Sequence, residues 1–132
     1  MNCLLDTHTF LWTAFSPDKL STRARNEIIS AENQICVSTI SFWEISLKDT
    51  LGKIELSNCT PADMPDIATQ MGIEIIQPEA QETASFYQLP KIAHKDPFDR
   101  MIIWQAIQQK MVLVSKDTNF PAYRQFGLKV LW

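Results

Sequence analysis

Along the chain, short runs of apolar and β-branched residues alternate with longer stretches whose apolar positions recur every three or four residues. The short runs predict strands at Cys3–Leu5, Ile35–Ser38, Glu74–Ile76, Met111–Ser115 and Leu128–Leu131. The longer stretches predict helices over Thr7–Phe15, Ser21–Ala31, Ser41–Leu51, Ala62–Met71, Glu79–Gln88 and Phe98–Lys110. Ser21 reads as an N-cap, and Gly52 and Gly72 close the helices before them. Prolines fall mainly in connections or at helix starts, where a missing N–H costs little. Strands that alternate with helices imply an α/β fold with a mainly parallel sheet of about five strands, covered on both faces.

The chain has 132 residues, which suits a single domain spanning 1–132. It is 45% apolar and 20% charged, close to globular averages. No apolar run approaches the roughly 20 residues that span a bilayer. The N-terminal MNCLLDTHTF lacks the basic segment of a signal peptide. Three scattered cysteines (Cys3, Cys36, Cys59) form no CxxC pair, which argues against a zinc site or a disulfide framework. A cytoplasmic protein without membrane association is expected. The net charge of −3 lacks the basic excess of an electrostatic nucleic-acid binder. Contact with nucleic acid would therefore need a local basic rim, such as Lys48, Lys95 and Lys116, or bound cations.

Acids stand out by position. Asp6 directly follows the first strand and Asp117 the fourth, at the strand ends where open α/β sheets bind ligands. Glu44 shares a helical face with Ile40, Leu47 and Leu51. Asp99 shares one with Ile102, Ile103 and Ala106. A carboxylate on a buried stripe needs a proton, a positive partner or a metal. Brought together, Asp6, Glu44, Asp99 and Asp117 would repel one another until a cation joined them. An all-oxygen set selects a hard ion, Mg²⁺ or Mn²⁺. Each acid also has a structural alternative. Asp6 can cap the following helix, and Glu44 can close a capping box with Ser41 or pair with Lys48. Asp117 can belong to a turn. Asp96, before Pro97, reads as an N-cap. Thr7 and Ser115 are placed to orient an acid or a water, and Arg100 to meet a carboxylate or a phosphate. His8 and His94 lie near the acids and read as structural. Phe10, Trp12, Trp43, Phe98 and Trp104 fall at helical spacings and read as core or subunit contacts.

The segments LLDTHTFLW, SFWEISLK, HKDPFDRMIIWQA and LVSKDTNF, in this order, resemble those of PIN-domain ribonucleases, and in particular VapC-type toxins of toxin–antitoxin pairs. The resemblance implies a doubly wound, three-layer α/β/α sandwich with an acidic pocket at the strand ends. It implies Mg²⁺- or Mn²⁺-dependent cleavage of RNA, a cognate antitoxin and a homodimer. Carried onto this chain, the metal-holding and catalytic acids are Asp6, Glu44, Asp99 and Asp117. Thr7, Asp96, Arg100 and Ser115 take supporting roles. Two alternatives compete. A Mg²⁺-dependent phosphatase or phospho-acceptor domain would want an acidic pair beside the first strand, where Asp6-Thr7-His8 stands. A non-catalytic RNA- or antitoxin-binding module would have no need of the acids.

Overall fold

Strand β1 (Asn2–Leu5) lies at the centre of a five-stranded sheet. β2 (Gln34–Ser38) and β3 (Glu74–Ile76) extend the sheet on one side, β4 (Val112–Val114) and β5 (Lys129–Leu131) on the other. The order is β3-β2-β1-β4-β5 and every neighbouring pair is parallel. The computed structural model describes all 132 residues.

Six α-helices fill the crossovers: α1 (Thr7–Phe15), α2 (Thr22–Ile29), α3 (Thr39–Thr50), α4 (Met64–Gln70), α5 (Ala80–Ser85) and α6 (Pro97–Gln108). Alternation of side chains along the strands divides the core in two. Cys3, Leu5, Val37 and Val114 face Phe10 of α1, Ala24 of α2, Ile45 of α3 and Met64 and Ala68 of α4. Leu4, Cys36 and Leu113 face Met101–Ala106 of α6, together with Leu89, Phe120 and Tyr123. The result is a three-layer α/β/α sandwich. Cys3 and Cys36 lie on opposite faces of the sheet and are free thiols. No helix is long and apolar enough to cross a membrane.

Beyond shifts of a residue or two at element ends and short 3₁₀ turns at Pro17–Lys19 and Pro61–Asp63, the predicted elements differ from the observed ones in three places. α3 begins at Thr39 rather than Ser41, because the Ser38 side chain accepts the Ile40 N–H and caps the helix two residues earlier. The segment after Ala80 splits into α5 and a 3₁₀ turn at Phe86–Gln88. A 3₁₀ stretch at Phe120–Phe126 had no predicted counterpart, yet it buries Phe120 and Tyr123 completely. Gly127 closes that stretch at φ +100, a conformation that L side chains rarely adopt.

β1 feels the whole core because it is hydrogen-bonded on both edges. Leu4→Ala, at a fully buried position, is expected to cost about 2–5 kcal/mol. The measurement is the urea midpoint, with far-UV circular dichroism unchanged in the absence of denaturant.

Candidate active site

The strand order turns back at β1: the chain first builds outward through β2 and β3, then crosses to β4 on the other side. Such a switch point leaves a crevice beyond the carboxyl ends of the two central strands. Asp6 and Ser115 are the first residues past those ends. The Asp6 N–H donates to the Val114 carbonyl at 3.3 Å, which extends the register by one step. The Ser115 hydroxyl then reaches Asp6 Oδ2 at 2.6 Å. Asp6 Oδ1 accepts the Thr9 N–H at 2.8 Å and caps α1. The cap and the site are thus two oxygens of one carboxylate.

Glu44 is 1% exposed. The face that buries it differs from the predicted one, since Leu47 and Leu51 are exposed. Glu44 instead shares the inner side of α3 with Ser41 and Ile45, between α1 and α6. Ser41 lies inside the helix, so no capping box forms. The Glu44 Oε1 accepts the Thr7 hydroxyl at 2.5 Å, and Oε2 is paired with the Lys48 ammonium. After Asp6 the chain thus offers Thr7, which serves Glu44, and the exposed His8, with no second acid of the kind a phosphatase would place beside the first strand.

α6 begins with Asp96, whose Oδ1 accepts the N–H groups of Phe98 at 2.8 Å and Asp99 at 3.3 Å. This aims Asp99, one turn in, at the crevice. Glu44, Asp96 and Asp99 can bring carboxylate oxygens within 4.8 Å of one another. Asp99, Asp117 and the His94 ring form a second such group. His94 Nε2 is 2.9 Å from Asp117 Oδ2, and its Nδ1 is 3.6 Å from Asp99 Oδ2. The ring stacks edge-on against Phe120, and the His94 N–H is held by the Tyr123 hydroxyl. Asp117 also forms the expected turn, accepting the Asn119 N–H at 2.8 Å. A cleft of about 280 Å³ opens between Asp6, His8, Trp12, Asp99 and Asp117.

The structure therefore gathers Asp6, Glu44, Asp99 and Asp117 at one end of the sheet, with Asp96, Thr7 and Ser115 beside them. Arg100 does not join them. Its guanidinium turns away, donates to the Leu89 carbonyl at 2.8 Å and lies over the Phe86 ring. The cause is helical phase: one residue after Asp99, Arg100 points about 100° around the axis toward the 3₁₀ turn. Lys48 is likewise a partner of Glu44 rather than part of a free rim. His94 has a larger part than its sequence context suggested. The signal for it was its position two residues before the Asp96 cap, but its two carboxylate partners come from α6 and from the end of β4.

Burial raises the Asp6 carboxyl above its ordinary value, against the opposing hydrogen bonds from Ser115 and Thr9. Asp99 is pushed up to about 7, first by burial and then by the charges of Glu44, Asp96, Asp6 and Asp117. Asp99 is thus an acid of the cluster that gives up its proton only reluctantly. This donor set is rich in carboxylate oxygen and contains no thiolate, which suits a hard divalent cation. A cation would supply the positive charge that the protein's own Lys48 provides only in part.

The architecture and the cluster define a class: a doubly wound α/β/α protein with a carboxylate pocket at its switch point. The sequence profile of the PIN domain matches residues 3–125, and the chain belongs to the PIN-domain family. It is 29% identical over 129 residues to Ribonuclease VapC22 of Mycobacterium tuberculosis (strain ATCC 25618 / H37Rv), covering 98% of this chain and 97% of that protein. Among solved structures, VapBC2 from Rickettsia felis, bound to a DNA fragment from its promoter, superposes with a TM-score of 0.67 at 19% identity, covering 99% and 98% of the two chains. VapBC-1 from nontypeable Haemophilus influenzae gives 0.65 at 15% identity, covering 99% and 97%. These superpositions establish the shared fold.

A carboxyl that is harder to ionise in the folded state binds its proton there more tightly than in the unfolded chain. For Asp99 that preference favours folding at low pH and is lost as pH rises from about 4 through about 7. The ionised group then costs at most about 4 kcal/mol, less in proportion to its contact with water. The metal-free Asp99→Asn variant is therefore expected to melt close to wild type at pH 4.5 and well above it at pH 8. Differential scanning fluorimetry at the two pH values checks this, and an advantage of Asp99→Asn over wild type that shrank toward pH 8 would contradict the assignment.

Proposed function

We propose that the protein is a divalent-metal-dependent endoribonuclease and the toxin of a VapBC-type toxin–antitoxin pair. The observation that carries this is the convergence of Asp6, Glu44 and Asp99 at the switch point, with the Asp99 carboxyl pushed up to about 7 by burial and then by its acidic neighbours. The likeness over 98% of the chain to Ribonuclease VapC22, and the VapBC assemblies among its structural relatives, support the same conclusion.

Asp6, Glu44 and Asp99 are the residues that would hold the cation, and Asp117 completes the pocket. Bound there, Mg²⁺ or Mn²⁺ supplies acidification of an attacking water and neutralisation of the charge that builds on the phosphate. The protein's own part is to fix the acids. Ser115 and the Thr9 N–H orient the two oxygens of Asp6. Thr7 orients Glu44, and Lys48 offsets its charge. His94 spans Asp117 and Asp99 and limits their separation. Asp99 would hold a cation only in its ionised form, so affinity for the ion would rise with pH through the neutral range. The substrate is an RNA phosphodiester, hydrolysed without a covalent enzyme intermediate.

As a partner, the protein takes a cognate antitoxin. A second copy of the chain is the natural homodimer partner, and the exposed Trp43, edge-on to Phe98 at 4.9 Å, offers it an apolar contact.

Labelled RNA is expected to be cut with Mg²⁺ or Mn²⁺ and to remain whole in EDTA. Altering residues that merely orient metal ligands typically costs 10- to 100-fold, so Asp6→Asn, Glu44→Gln and Asp99→Asn are each expected to lower kcat/KM by more than about 100-fold. Their far-UV spectra should match wild type. Cleavage that persisted in EDTA, or full activity in Asp99→Asn, would overturn the function proposed.

A further inference from the structure

Trp12 is not a core residue. It is half-buried, and its indole forms one wall of the cleft that holds Asp6, Asp99 and Asp117. Its other side borders a second depression of about 330 Å³, lined by Phe15, Ser16, Lys19, Ile54 and Leu56 among others. The residue thus borders both the acidic cleft and this neighbouring depression. Phe10, two residues earlier on the same helix, is fully buried. The contrast follows from helical phase: Phe10 points to the sheet, whereas Trp12 lies four residues after His8 on the face that borders the cleft.

Trp12 has aromatic neighbours but no parallel stacking partner. His8 lies 5.9 Å away at 43° and Trp132 5.8 Å away at 59°, both tilted. The Lys116 ammonium lies over the ring, 5.9 Å from its centroid, and both Lys116 and His8 are exposed. Lys116 is also the residue before Asp117, so an ammonium and a cation-holding acid leave the end of β4 side by side. This edge thus presents, within one nucleotide's reach of the acids, a π-face, a fixed positive charge and an imidazole.

We infer that Trp12, with Lys116 and His8, forms a subsite for the nucleotide flanking the scissile phosphate. The base takes the place over the indole that the Lys116 ammonium occupies in the free protein, and the exposed, displaced ammonium meets the next phosphate along the strand. The subsite rests on the ribonuclease function proposed above, and it takes an unstacked base, the only kind that can lie on the ring. Stacking of this kind tolerates any base, because every base has a π-face. Trp12 would then contribute affinity and placement, leaving sequence choice to other groups.

The test is equilibrium binding of the full chain to two fluorescent probes in Ca²⁺, with gels confirming that the RNA remains intact. One probe is single-stranded oligoadenylate; the other is a ribose-phosphate chain of equal length without bases. Trp12→Leu is expected to weaken oligoadenylate binding by about 5- to 150-fold, the range for loss of one stacked base, and binding of the abasic chain by less than about twofold. Trp12→Phe keeps a ring and should restore most of the oligoadenylate affinity. The inference fails if Trp12→Leu binds oligoadenylate like wild type, or if it loses both probes equally. Should Trp12→Leu not fold, the wild-type protein decides the matter: equal affinity for the two probes overturns the subsite, while a clear preference for oligoadenylate that Trp12→Phe retains supports it. Base-dependent binding without cleavage in Mg²⁺ or Mn²⁺ would sink the nuclease function and leave the subsite standing. Cleavage without base dependence would do the reverse.

Discussion

Mutual repulsion among buried carboxylates governs the C-terminal end of the sheet. Two carboxylates about 6 Å apart oppose each other by about 3 kcal/mol at the effective dielectric of a protein site. Asp99 feels four acidic neighbours: Glu44, Asp96, Asp6 and Asp117. The fold answers with charge-assisted hydrogen bonds: Ser115 and the Thr9 N–H to Asp6, Thr7 and Lys48 to Glu44, and His94 to Asp117. Each is worth about 1.5–3 kcal/mol, enough to hold most of the cluster together but not all of it. The remainder falls on Asp99, which keeps its proton to about pH 7. A protein that needed only stability would replace one of these acids. Retaining them all makes sense when a cation is the missing partner.

The same acids also build the scaffold. Asp6 caps α1 and Asp96 caps α6, so the starts of two helices are fixed by residues that border the pocket. The alternatives of cap and site, open for each acid when read singly, are not exclusive in three dimensions. A carboxylate has two oxygens, and in Asp6 one serves the helix while the other faces Ser115. This sharing ties the position of the cluster to the registration of β1 on β4, through the bond from the Asp6 N–H to the Val114 carbonyl.

Much of this was legible in the sequence where local chemistry decides the outcome. The β-branched runs located the strands, and α1 begins and ends where its pattern does. Asp99 follows the apolar phase of α6: Ile102, Ile103 and Ala106 are buried, and Asp99 is half-buried at the end of that stripe. Glu44 was found for a partly mistaken reason. Its stripe with Leu47 and Leu51 is exposed, and burial comes from the crossing of α1 and α6 over Ser41 and Ile45, which periodicity does not report. Arg100 and His94 exchanged importance. Both sit in the same charged segment, but their partners (the Leu89 carbonyl for one, Asp117 for the other) are set by distant elements. The 3₁₀ stretch at Phe120–Phe126 has no repeating apolar period, although its Phe120 supports the His94 ring.

The two outermost strands, β3 and β5, are only three residues long and carry the exposed Glu74 and Lys129. Short, charged borders of this kind discourage another strand from adding on, which is how natural sheets resist runaway aggregation. The sheet is closed to growth at both margins. Association with any other polypeptide is thereby directed to the helical faces, and a chain left without its partner keeps a defence against clumping into fibrils.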